Sequence, residues 1–124
     1  MRRTRFLSLL AVVILGSACA SSGQPDQSRP RRDSNLITAD ELSGLSVGNA
    51  YEAVRRLRPA WLIARGRSPL PVVYRNDTRW GDDPRSLESI QIDIVSEMRF
   101  MSATDATTRY GSGFTGGLIL VVAR

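Results

Sequence analysis

The sequence predicts a small α+β domain, with a short mixed sheet of about four strands packed against two or three short helices. Three observations carry this. Ala50, Tyr51, Val54 and Leu57 recur at helical spacing. Leu118 to Ala123 (LILVVA) is apolar at every position, as a strand buried on both faces requires. Helical and strand-like segments follow one another in the order α-α-β-β-β-α-β, without the strict alternation of a doubly wound fold.

Taken in order, Thr38-Ala39-Asp40-Glu41 reads as a capping box that starts a short helix at Thr38. A second helix is expected from about Val47 to Arg58, closed by Pro59. Trp61 to Ala64 reads as a short strand, and Gly66, Pro69 and Pro71 bracket the loop after it. Val72 to Arg75 is a strand followed by turn chemistry at Asn76-Asp77. The polar stretch Trp80 to Pro84 reads as a loop. Leu87 to Ile94 is expected as a turn or short helix holding Leu87, Ile90 and Ile94. Glu97 to Met101 is a strand with Met98 and Phe100 on one face. Ser102 to Arg109 favours a short helix, and Leu118 to Ala123 closes the sheet. No internal repeat is visible.

Upstream of this domain the chain changes character. Arg2, Arg3 and Arg5 precede the apolar run Leu7 to Leu15, and small residues Gly16, Ser17, Ala18, Cys19 and Ala20 follow. This is the order of a secretory signal. The apolar run is well short of the ~20 residues that span a bilayer, so a permanent membrane helix is not expected. Residues 1–20 are therefore assigned to an export signal, with Cys19 as the acceptor of a lipid anchor and the new N-terminus. Cleavage after Ala20, which also satisfies the small-x-small rule, is the alternative and would leave a secreted or periplasmic protein. A lipidated chain is held on the outer membrane, on its periplasmic or surface side. Two or more acyl chains anchor it stably, at roughly 0.8 kcal/mol per buried methylene. Residues 21–35 contain no aliphatic or aromatic side chain and read as a disordered tether reaching roughly 20 Å. Residues 36–124 form the domain.

Composition narrows the chemistry. Lysine and histidine are absent, and Cys19 is the single cysteine among 124 residues. Imidazole acid–base catalysis, an intrachain disulfide and thiolate- or imidazole-based metal sites are thereby excluded. No metal or cofactor is expected. From Cys19 onward 14 of the 17 arginines face 12 acidic residues, a balance that does not call for nucleic acid as a partner.

Asp82, Asp83, Glu88 and Asp93 are the carboxylates a hydrolase or a hard cation would need. Their spacing fits neither a calcium loop nor a facing catalytic pair, so a carboxylate-based cell-wall hydrolase is a remote alternative. The run Gly111 to Gly117 leads into a strand rather than a helix, which is wrong for a phosphate loop. Trp61, Tyr74 and Trp80 are candidates for contact with a partner. Trp61 is also expected to cap the core.

The segment Val95 to Arg124 resembles the closing segment of the plug domain of TonB-dependent receptors, in the form found in starch-utilisation-type nutrient transporters. The matching residues are Phe100-Met101, Ala106, Tyr110-Gly111-Ser112, Gly116-Gly117 and Leu118 to Val121. Leu36 to Leu42, Ala50 to Pro59, Arg65-Gly66 and Val72 to Asp77 are similar to earlier plug elements, more loosely. Asn76-Asp77-Thr78 replaces the family's Asp-Gly turn, and Arg58-Pro59-Ala60 replaces Leu-Pro-Gly. No TonB box precedes the domain, and the match ends at Arg124 without a barrel. The resemblance implies a plug-like fold in which Tyr110, Gly111, Ser112, Gly116 and Gly117 are structural. It does not imply transport.

The functional expectation is a membrane-tethered, non-enzymatic interaction module of the cell envelope. An outer-membrane β-barrel or a TonB-type complex is the implied partner. An accessory of nutrient uptake that binds a small ligand or a separate barrel is the alternative.

Overall fold

The computed structural model describes residues 32–124. The expected export signal, Cys19 and residues 21–31 of the expected tether lie outside the described residues. A two-residue strand β1 (Leu36–Ile37) leads into helix α1 (Ala39–Ser43). The capping box forms as read: the Glu41 backbone N–H donates to Thr38 Oγ1, and the Thr38 N–H donates to Glu41 Oε2 at 3.2 Å. Helix α2 (Ala50–Leu57) starts three residues later than the expected Val47, because Asn49 Oδ1 accepts the Glu52 N–H at 3.0 Å and sets the first turn. It ends where Arg58, which precedes a proline, leaves the helical region at φ −141° and ψ 61°.

Two expectations need correction. Trp61 to Ala64 is not a strand. Pro59–Leu62 forms a 3-10 turn, with proline supplying a pre-set first position and Trp61 driven inward to 2% exposure. Nor is Trp80 to Pro84 a loop throughout. After β2 (Val72–Arg75), Asn76 and Asp77 take φ of 45° and 64°, the left-handed pair of a tight hairpin turn. That turn folds β3 (Thr78–Gly81) back onto β2. Two 3-10 turns follow, Pro84–Ser89 and Ile92–Ile94, and they bury Leu87 while Ile90 is buried between them.

Strand β4 (Val95–Met101) then gives way to helix α3 (Ala103–Tyr110), capped by Ser102 Oγ accepting the Asp105 N–H at 3.1 Å. A glycine-rich link carries the chain to β5 (Leu118–Ala123). The sheet order is β1-β4-β5-β2-β3, with β2 and β5 parallel and the other pairs antiparallel. The protein is thus a small α+β domain, with five strands rather than about four.

β5 is central, and its side chains divide between two cores. Ile119 and Val121 join Ile37, Met98, Phe100 and Val73 beneath α2, Trp61, Leu87 and Ile90. Leu118 and Leu120 join Val72 beneath Ala106 of α3 and Phe114 of the link. Each fully buried aliphatic side chain contributes about 1.5–3 kcal/mol. The larger first core therefore dominates stability, while the second fixes α3 and the link.

The ordered contacts begin before Leu36. Asn35 C=O accepts the Phe100 N–H at 2.8 Å, and Ser34 C=O accepts the Trp61 indole N–H at 3.0 Å. Arg58 turns inward and donates to the carbonyls of Asp33 and Leu36 at 3.0 and 2.8 Å, and to Glu41 at 3.1 Å. Its Nε is buried without a partner.

Candidate functional site

The β2–β3 hairpin presents the most distinctive surface. Tyr74 pairs with Arg79, and Val73 pairs with Gly81, so Trp80 is the extra residue of a bulge. The bulge aims its indole outward at 42% exposure. Trp80 Nε1 donates to Ser89 Oγ at 2.9 Å, and Ser89 Oγ donates to the Ser86 carbonyl at 2.7 Å. The Arg75 guanidinium lies 5.0 Å from the ring centroid, a cation–π distance. Gly81 is needed for this arrangement: a Cβ there would stand 2.3 Å from Ser86 Oγ, the residue whose carbonyl holds Ser89. Trp80 is thus exposed but locked, which is what a recognition side chain requires.

Arg79 forms an ion pair with Asp82 at 2.6 Å, and Arg85 pairs with Glu88 at 3.3 Å. Asp83 caps the following 3-10 turn through the Arg85 N–H at 2.7 Å. The carboxylates considered for hydrolysis are therefore engaged separately, with Asp93 on the next turn. Among the described residues no group of three or more His, Cys, Asp and Glu side chains gathers to hold a metal.

On the other face of the hairpin, Tyr74 packs against Tyr110 and Phe114, with ring centroids 4.8 and 5.7 Å away. Asp77, at the turn, accepts hydrogen bonds from the Tyr110 hydroxyl and from Arg109 at 3.0 Å. Partial burial, and then the bond to Asp77, push the Tyr110 hydroxyl up to about 12, against a smaller opposing effect of Arg109. Tyr110 ties the end of α3 to the hairpin.

The motif glycines are backbone requirements. Gly117 has φ of 86°, and a Cβ on it would lie 2.7 Å from the Met101 carbonyl; one on Gly116 would lie 2.2 Å from the Pro69 carbonyl. Gly111 ends α3 at φ of 90°. Ser112 lines a shallow groove with Thr104, Thr107 and Thr108.

The three aromatic candidates separate. Trp80 faces solvent, and Tyr74 is half-buried beneath Tyr110. Trp61 takes the core-capping place also expected of it and not the partner contact: its ring is buried 5.9 Å from Phe100. Arg75 and Ser89 were missed by the sequence reading, and only the hairpin register could have found Arg75. Comparison with protein families, with curated proteins and with solved structures found no match.

Proposed function

We propose that this protein is a membrane-tethered interaction module of the bacterial cell envelope, acting by binding rather than by catalysis. Its fold is a small α+β domain, and the sequence of Val95 to Arg124 resembles the closing segment of the plug domain of TonB-dependent receptors. The observation that carries the reading is Trp80: a bulged edge strand holds an exposed indole rigid between Ser89 and Arg75. Aromatic side chains held in one geometry bind with little loss of conformational freedom, and they are enriched among residues that dominate interfaces. The export signal and Cys19 supply the tether. The partner of choice is an outer-membrane β-barrel.

The test is a pull-down of tagged wild-type and Trp80→Ala chains from detergent-solubilised membranes of the native host. Recovery of a β-barrel receptor by wild type, and its loss with Trp80→Ala, is expected. Equal recovery by both removes Trp80 from the interface. Recovery of nothing but the chain itself sinks the reading.

A further inference from the structure

Between Glu52 and Asp77 the chain carries Arg55, Arg56, Arg58, Arg65, Arg67 and Arg75, and not one carboxylate. Outside this stretch Arg79, Arg85, Arg99 and Arg109 each pair with an acid, in Arg79–Asp82, Arg85–Glu88, Arg99–Glu97 and Arg109–Asp77. Within the acid-free stretch Arg58 is turned inward to Glu41, and Arg75 lies over Trp80. Arg55 and Arg56 are exposed on α2, and Arg65 and Arg67 stand on the loop of residues 63–67, where every residue is exposed, the Arg65 guanidinium lying 4.9 Å from the Phe100 ring centroid. That loop begins with Ile63, which at 63% is the more exposed of the two large apolar side chains that face solvent among the described residues.

This loop stands where the chain enters the fold. The bond from the Trp61 indole to the Ser34 carbonyl pins the incoming segment against the 3-10 turn that precedes Ile63. Ser34, Asn35, Arg58, Trp61 and Arg65 line one hollow of about 260 Å³. Directly upstream in the sequence lie Arg29, Arg31 and Arg32. From Cys19 to Ser34 at this corner only residues 20–33 intervene, a span of roughly 20 Å if flexible.

We infer that the corner formed by Ile63, Arg65 and Arg67 docks on an anionic phospholipid surface, with Ile63 entering the headgroup boundary and the arginines pairing with lipid phosphates. The inference rests on the tether reading, since a chain anchored through Cys19 brings this corner, where the tether joins the fold, within reach of the bilayer. Arginines near an anionic leaflet each raise partition about fivefold. A short tether supplies a high effective concentration, so a contact too weak to bind alone sets the orientation of the anchored domain. An apolar side chain beside two exposed arginines that no carboxylate neutralises fits a lipid interface better than a phosphate backbone, which offers nothing for Ile63 to enter.

The test uses residues 21–124, the form left by cleavage after Ala20, which contain both cores and the whole sheet. Co-sedimentation with vesicles rich in phosphatidylglycerol is expected, falling as salt is raised, with none on phosphatidylcholine alone. Arg65→Gln with Arg67→Gln lowers partition by about 25-fold, and Ile63→Ser lowers it further. All three positions are exposed, so unchanged circular dichroism shows that the variants are folded. No binding to either vesicle overturns the inference. So does binding that survives Arg65→Gln with Arg67→Gln but is lost on replacing Arg29, Arg31 and Arg32. Binding to duplex DNA as tight as to vesicles, with no dependence on Ile63, overturns it in favour of nucleic acid. The tether reading is tested apart, by fractionating cells that express the full chain with Cys19→Ser. Release from membranes supports that reading whatever the vesicles show, and unchanged fractionation sinks it while leaving the vesicle result standing.

Discussion

β1 and β3 are both edge strands of one sheet, yet they end it in opposite ways. β1 is two residues long, and the Leu36 carbonyl is occupied by the Arg58 guanidinium. Trp61 and Phe100 fasten the residues just before it through the carbonyls of Ser34 and Asn35. β3 is a bulged hairpin strand with Thr78, Arg79 and Trp80 all exposed. A bulge and a charged side chain guard an edge against indiscriminate strand pairing. The same bulge presents Trp80. One edge is closed by side chains from distant segments; the other is guarded but offers an exposed indole, the side chain on which the proposed recognition rests.

The largest effect that would test this contrast is Trp61→Ala. It empties a core position and strips the indole bond to Ser34, at about 3–5 kcal/mol in urea unfolding. A loss no greater than that of Trp80→Ala would erase the distinction between the edges. Next is Arg58→Ala. The Arg58 side chain is 11% exposed and serves Glu41 and three backbone carbonyls, so its removal is expected to cost about 2 kcal/mol in the same measurement. No change would mean that the β1 edge is held by backbone pairing alone.

Asp77→Asn keeps a residue that tolerates the left-handed turn and removes the carboxylate that accepts Tyr110 and Arg109. A smaller loss of about 0.5–1 kcal/mol is expected, together with a fall of the Tyr110 ionisation toward its ordinary value. Because the fold holds the Tyr110 proton more tightly than the unfolded chain does, its contribution is complete below pH 10.0. It is lost as pH rises to about 12, and ultraviolet titration of tyrosinate beside unfolding curves reads both. An unmoved titration in the variant would show that burial alone sets the shift. The smallest stability effect belongs to Trp80→Ala, within about 0.5 kcal/mol, while capture of a partner is abolished. A large destabilisation there would make Trp80 a packing residue instead.

The local signals were legible. Thr38 with Glu41 gave its capping box, Ser102 gave the start of α3, and the apolar run at Leu118 gave a central strand. What escaped depends on residues far apart in the chain. Trp61 has a strand-like neighbourhood, but Pro59 pre-forms a turn, and the carbonyl that receives its indole belongs to Ser34. Asn76-Asp77 was recognised as a turn without its consequence: two left-handed residues in succession commit the next four to a hairpin strand. Arg58 looked like one more solvated arginine, because nothing near it in sequence announces Asp33, Leu36 and Glu41 as its acceptors. The candidate surface was half visible. Trp80 stood out, while the bulge, Arg75 and Ser89 that hold it are properties of register.

The position of β5 bears on the order of assembly. It is the most C-terminal strand described, yet it lies between β4 and β2, and it is the parallel partner through which the β2–β3 hairpin joins the rest of the sheet. Until residues 118–123 arrive, the hairpin has nothing to pair with beyond itself, and an isolated two-stranded ribbon is marginal in water. Loop closure over long separations must come before those pairings are rewarded, which slows them further. A chain that emerges N-terminus first therefore leaves its hairpin unjoined to β4 until residues 118–123 are free to pair between them.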